Sequence, residues 1–248
     1  MGETHDKAGV KTQPSYTRVL LKISGEALMG QTDHGIDHGT VHRIANEIIA
    51  VRDLGIEVAV VVGGGNIWRG LRGTKQGIEQ VTSDHMGMLA TVMNALALQS
   101  ELETLGAQAR VMSAIPLDTM CEPYIRRRGV HHLQKGRILI CAAGTGNPYF
   151  TTDSGAALRA AELGCQVLMK GTKVDGVYDK DPMKHDDAKF YDMLSFKQVL
   201  NDHLQVMDAT AIALSRESRI PILVFSIEMP GAFVNVLKGE GRYTLIQS

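Results

Sequence analysis

Cysteines and aromatics are scarce in this chain and long apolar runs are missing, and each shortage removes a class of protein. Cys121, Cys141 and Cys165 are an odd number with no C-x-x-C pair among them, which argues against a disulfide framework or thiolate metal cluster. They read as reduced, small apolar fillers of a cytoplasmic protein. No stretch approaches the ~20 apolar residues of a membrane span. The polar segment from Met1 to Ser15 lacks the apolar centre of a signal peptide. Charge of one sign is also missing: 27 acidic against 26 basic residues leave a net charge of −1. Such a surface offers no electrostatic footprint for nucleic acid or an anionic membrane. Glycine, by contrast, is plentiful, with 26 in 248 residues, clustered where apolar runs stop.

With 44% apolar residues the chain can bury a sizeable core, and it reads as one domain over 16–248 after a flexible N-terminal tail over 1–15. Short apolar runs at Val19–Ile23, Glu57–Val62, Ala109–Met112, Arg137–Cys141, Gln166–Met169 and Ile222–Phe225 are continuous, not alternating. That suits parallel strands covered on both faces. Between them, Val41, Ile44, Ala45, Ile48 and Val51 follow helical spacing, with Thr40 as N-cap and Gly55 as the stop. Asp153 to Leu163 reads as another helix, closed by Gly164. Strand–helix–strand order with short connections predicts an α/β class, a doubly wound sandwich on a mostly parallel sheet. The longest helical candidate, Asp84–Leu105, has no charge from Met86 to Ser100 and apolar residues around its whole circumference. It is either a central core helix, buried all round, or a subunit interface.

In open α/β sheets, ligands bind outside the carboxyl ends of the strands. Here the strand ends run into Ser24-Gly25, Gly63-Gly64-Gly65-Asn66, Gly144-Thr145-Gly146-Asn147-Pro148 and Gly171-Thr172. Glycine lets a backbone approach an anion and aim several N–H groups at it. One such turn is weak evidence. Four on one sheet edge, with Lys22, Arg69, Lys170 and Lys173 nearby, point to a polyphosphate site, with room for two phosphate-bearing ligands end to end. The sequence contains no G-x-x-x-x-G-K-[ST] and no H-R-D or D-F-G set, so neither a P-loop protein nor a protein kinase fits. The run from Gly144 has Tyr149 where a dinucleotide fingerprint needs its third glycine. Phosphoryl transfer needs little more than in-line positioning, positive charge and N–H groups around the moving phosphoryl. A strand-end lysine such as Lys22 among glycine turns supplies that, with magnesium carried by the nucleotide rather than by a protein cage. The pattern describes a kinase without a P-loop.

The segments Lys22-Ile23-Ser24-Gly25-Glu26-Ala27-Leu28, Gly63-Gly64-Gly65-Asn66-Ile67-Trp68-Arg69-Gly70 and Asp84-His85-Met86-Gly87-Met88 closely resemble the bacterial uridylate (UMP) kinase family. So do Gly144-Thr145-Gly146-Asn147-Pro148-Tyr149-Phe150-Thr151-Thr152-Asp153 and Lys173-Val174-Asp175-Gly176-Val177-Tyr178. The likeness runs in order from Tyr16 to Ile246. It implies a three-layer α/β/α amino-acid kinase fold, a homohexamer, and transfer of the γ-phosphoryl of ATP, with Mg2+, to UMP. By that resemblance Lys22 and Asp153 are catalytic. Lys22, Ile23, Ser24, Gly25, Gly65 and Arg69 face the ATP phosphates, and Thr172, Tyr178 and Asp181 border the adenosine. Gly64, Asp84, Thr145, Gly146, Asn147, Pro148, Tyr149, Phe150, Thr151 and Thr152 hold UMP. No residues are assigned to a protein-held metal. The family also implies GTP and UTP as effectors, with Gly30 to Gly35 in an effector loop. Two cationic positions of the GTP pattern are Gln99 and Glu103 here, a change that weakens triphosphate binding there.

Several features have plainer readings. Asp84 and Asp153 on pattern alone suit helix N-caps. His34, His38 and His42 recur every four residues, but Gly35 and Gly39 between them favour a solvated loop over a metal-binding helix face. Arg126-Arg127-Arg128 reads as a solvated helix face. Trp68 is either a packing residue or a platform for a base. Asp179 to Lys189 reads as a mobile charged loop closing over ATP.

Overall fold

A computed structural model describes residues 16–69 and 77–248. The tail expected over 1–15 and Gly70 of the second glycine motif lie outside those residues. In chain order the strands are β1 (Arg18–Ile23), β2 (Glu57–Val62), β3 (Ala109–Ser113), β4 (Glu122–Pro123), β5 (Ile138–Ala142) and β6 (Val167–Thr172). There follow β7 (Val177–Tyr178), β8 (Phe190–Tyr191), β9 (Met193–Ser195), β10 (Ile222–Ser226) and β11 (Thr244–Gln247). The described helices are α1 (His38–Asp53), α2 (Gln80–Thr104), α3 (Arg126–Gln134), α4 (Thr152–Leu163), α5 (Phe196–Asn201), α6 (Ala209–Glu217) and α7 (Ala232–Leu237).

Nine strands form one sheet in the order β4-β3-β5-β2-β1-β6-β10-β11-β9, and β7 pairs with β8 as a separate ribbon. Every pairing in the large sheet is parallel except β10 with β11. Alternation along each strand sorts the core into two layers. Val19, Leu21 and Ile23 of β1 pack with α1, α2 and α7, whereas Leu20 packs with α4, α5 and α6 on the other face. This is the expected mostly parallel α/β/α sandwich. The three cysteines are buried and free, and burial pushes the thiols of Cys141 and Cys165 up to about 12, as apolar fillers require. Among the described residues, no helix is long and apolar enough to cross a membrane.

Helix starts differ from expectation. Asp37, not Thr40, caps α1, its side chain accepting from Thr40 N at 2.7 Å. The helix therefore includes His38 and His42, which turn toward the buried carboxylate of Glu101 on α2 instead of lying in a solvated loop. Helix α2 begins at Gln80, so Asp84 sits inside its second turn and caps nothing. It is also not buried all round, because Leu89 and Met93 are about half exposed on one face. Thr151, and not Asp153, caps α4.

Candidate active site

The four glycine-bearing turns follow β5, β2, β1 and β6, which are consecutive in the sheet. Parallel direction brings their carboxyl ends to one rim. Register does the rest: Lys22 on β1 lies opposite Lys170 on β6. One carboxylate bridges the two, with Lys22 Nζ 2.6 Å from Asp153 Oδ1 and Lys170 Nζ 3.1 Å from Asp153 Oδ2. Lys170 Nζ also donates to the Val206 carbonyl. Burial alone would raise the Asp153 carboxyl, but the two ammonium groups outweigh it and hold the group below the usual carboxylate range. Burial, helped by Lys22, pulls Lys170 below its ordinary value against the opposing pull of Asp153. Lys22 itself is buried, and a buried ammonium needs a partner of this kind.

The β1 and β2 turns press together. A methyl group on Gly25 would lie 2.6 Å from the Gly63 carbonyl oxygen and 2.7 Å from Gly65 N, so no side chain fits there. Gly64 is pinned in the same way against α2, where its added carbon would meet Gly87 O at 2.8 Å. Arg69 sits at the rim, paired with Glu26 at 2.6 Å, and its Nε donates to Gly65 O at 3.3 Å. Asn94 on α2 donates to Gly63 O at 2.7 Å and exchanges hydrogen bonds with Asn66.

Two cavities flank this cluster. The larger, of about 580 Å3, includes Lys170, Thr172, Tyr178 and Asp181 in its lining, together with the first part of the loop between β7 and β8. Tyr178 donates its hydroxyl to Asp175 at 2.6 Å and stacks edge-on with Phe190. The loop beyond it is tied by Lys180–Asp187 and Lys184–Asp181 ion pairs. The smaller cavity, of about 200 Å3, is lined by Gly64, Gly65, Asp84, Thr145, Asn147, Phe150, Thr151 and Thr152 among others. Asp153 stands between them: Thr151 and Thr152 before it line the smaller cavity, and its partner Lys170 lines the larger.

The turn after β5 has an unusual backbone. Ala143, Gly144, Gly146 and Tyr149 all have left-handed φ, at 62°, 57°, 80° and 69°. Tyr149 thus adopts a glycine-like conformation at the position where the dinucleotide pattern wanted glycine. It is held by Asp84, whose Oδ2 accepts from Tyr149 N at 2.8 Å while Oδ1 accepts from Gln80 at 2.7 Å. Asn147 N donates to Thr145 Oγ1 at 3.2 Å. Trp68 lines the smaller cavity and donates its indole N–H to Ser83 at 3.1 Å.

Two site residues went unassigned in the sequence. Lys170 was visible only as a charge near a turn, because its pairing with Lys22 depends on strand register. Asp208, the N-cap of α6, accepts from Thr151 Oγ1, from Ser154 Oγ at 2.9 Å and from Ala211 N at 3.0 Å, and so anchors the start of α4. Nothing in local spacing distinguishes it from an ordinary cap. At the positions of the altered effector pattern, Gln99 donates to Glu103 at 3.1 Å, and Glu103 pairs with Arg110 at 3.4 Å.

A parallel sandwich with glycine turns and a lysine pair on one rim, and a cavity to either side, fits the class of small-molecule phosphotransferases, and comparison with known proteins names the family. The chain belongs to the amino acid kinase family, whose family model matches residues 17–226. Among its relatives, the uridylate kinase of Cereibacter sphaeroides is 60% identical over 244 residues, covering 98% of this chain and 99% of the relative. The uridylate kinase of Zymomonas mobilis is 59% identical over 234 residues, covering 94% and 97%. Among solved structures, the UMP kinase of Bacillus anthracis matches with a TM-score of 0.91 at 41% identity, covering 94% of this chain and 97% of that one. The UMP kinase of Ureaplasma parvum matches with a TM-score of 0.89 at 39% identity, covering 94% and 99%.

Proposed function

We propose that this protein is a UMP kinase, transferring the γ-phosphoryl group of ATP directly to UMP to give UDP and ADP. The observation that carries the reading is the Lys22–Asp153–Lys170 cluster set between two cavities on one sheet rim. An acceptor phosphate is already close to dianionic near neutral pH, so its oxygen can attack the γ-phosphorus without a general base. As the new O–P bond forms, the bond to the ADP oxygen breaks, and charge spreads over the equatorial oxygens. Lys22 and Lys170 stabilise that charge. Asp153, held below the usual carboxylate range, is unsuited to accept a proton and serves to orient the two ammonium groups.

The larger cavity takes the adenosine of ATP, with Thr172, Tyr178 and Asp181 in its lining, and the phosphates extend over the rim toward Ile23, Ser24, Gly25 and Arg69 and toward Gly65 at the edge of the smaller cavity. The smaller takes UMP, with Asp84 toward the ribose and the run from Thr145 to Thr152 around the rest. A carboxylate such as Asp84 suits vicinal hydroxyls, and Asn147 offers both donor and acceptor to a uracil edge. Magnesium would ride on the triphosphate and neutralise its charge. The donor set favours this, since the carboxylate nearest the phosphate path is already engaged by two lysines. The half-exposed Leu89 and Met93 support assembly through α2, in line with a cytoplasmic homohexamer, and GTP and UTP remain the effectors to test.

Purified protein given Mg-ATP and UMP, CMP, AMP, glutamate or aspartate in turn tests the reading. ADP release with UMP alone supports it. Release with an amino acid would make the chain a carboxylate kinase, and tight ATP binding without turnover would make it a nucleotide-binding storage or sensor protein.

A further inference from the structure

Helix α4 brings a second charged residue to the turn after β5. Arg159 is only 5% exposed. Its Nη1 donates to Glu162 Oε2 at 2.6 Å, its Nη2 donates to the Gly144 carbonyl at 3.2 Å, and its guanidinium carbon lies 3.9 Å from the centre of the Tyr124 ring. Burying a guanidinium is costly unless its N–H groups are used, and Nε has no hydrogen-bond partner among the described residues. An apolar side chain would serve a core better. What the arginine gains is a grip on Gly144, in the stretch where Ala143 and Gly144 are both left-handed.

The same helical face supplies a floor. Gly155, one turn before Arg159, lies so close beneath that a methyl group on it would meet Gly144 Cα at 3.0 Å. From the opposite side, Thr91 Oγ1 accepts from Ala143 N at 2.8 Å. The turn is thus seated on glycine, hooked by arginine and tied to α2, before it reaches Thr145 and Asn147 in the smaller cavity.

We infer that Arg159, braced on the Tyr124 ring, is a positioning residue that sets the shape of the acceptor turn and so controls acceptor affinity. It acts through Gly144 and touches neither substrate. The inference rests on the reading of that turn as the acceptor site. Lysine cannot replace it, because a single ammonium cannot pair with Glu162, reach Gly144 and lie flat on an aromatic ring together.

The test compares Arg159→Lys, Tyr124→Leu and Tyr124→Phe in the full chain. Losing a charge-assisted hydrogen bond to the turn should raise KM for the acceptor about tenfold or more in the first two. KM for ATP should stay within about twofold, since no donor contact changes. Tyr124→Phe keeps the ring and should keep the wild-type KM. A folded Arg159→Lys with wild-type acceptor KM overturns the inference, as does an equal rise in both KM values, which is what general loosening gives. If Arg159→Lys fails to fold, Tyr124→Leu decides by the same split, and failure of both to fold assigns the pair a structural role only. Should the wild type ignore UMP, the acceptor reading falls separately. The split is then read on whichever acceptor turns over or, with none, on the melting-temperature rise each nucleotide confers.

Discussion

Lys22 and Lys170 stand opposite one another on neighbouring parallel strands, and Asp153 holds both. Neither lysine is placed by its own loop. Each is placed by the register of the sheet, which makes the cluster as rigid as the core beneath it.

Removing one of these charges should be felt mainly in turnover. For Lys22→Ala, kcat should fall by about 100-fold or more, the scale for one preorganised transition-state charge, in a coupled assay of ADP release. Turnover at the wild-type rate would take Lys22 out of the mechanism.

Asp153 should leave a signature in acid. Its folded-state value lies below the ordinary one, so the unfolded chain binds the proton more readily and stability rises with pH across the gap. That contribution is complete above the ordinary carboxylate value of about 4 and is lost as pH falls through the folded value. Asp153→Asn lacks it. Urea unfolding at pH 7 and pH 3 should therefore differ less for the variant than for the wild type, and equal acid losses would assign the effect to other carboxylates.

Asp84 bonds both to its own helix and to the strained Tyr149 backbone. Asp84→Asn should weaken UMP binding severalfold while leaving KM for ATP near wild type. Steady-state kinetics with each substrate varied will show this, and an unchanged KM for UMP removes Asp84 from the acceptor site.

The chain has a single tryptophan, and Trp68 lines the smaller cavity. UMP should therefore change its emission, whereas ATP alone should change it far less. Fluorescence titration of the unmodified protein suffices. A response to ATP alone would exchange the two cavities.

Asp208→Ala removes the cap of α6 and the anchor of Thr151 and Ser154. Loss of a cap costs about 1 kcal/mol, and the part-buried and exposed hydrogen bonds from Ser154 and Thr151 about as much again between them or somewhat more. A destabilisation of about 2–3 kcal/mol by urea titration is expected, with a raised KM for UMP.

Much of the architecture was legible because buried parallel strands are written as unbroken Val, Ile and Leu runs. Glu57–Val62 matches its run fully, and the others shift by a few residues at their ends. The short strands β4, β7, β8, β9 and β11 carry too few residues to form a pattern. Helix starts were misread at Thr40 and Asp84, since capping depends on which oxygen reaches which N–H. Whether the apolar circumference of α2 is covered within the chain or left at its surface stayed open between two readings, because composition records that a side chain is apolar, not what covers it. Glycine turns revealed the rim, but the pairing of Lys22 with Lys170 is long-range and has no local signature.

Helix α4 begins with the carboxylate that holds the lysines and, through Gly155 and Arg159, also supports the opposite turn. A single rod therefore underlies donor and acceptor alike. A tilt of the whole rod would displace both halves of the reaction at once, whereas loss of one contact along it, such as that of Arg159 with Gly144, is felt on the acceptor side alone.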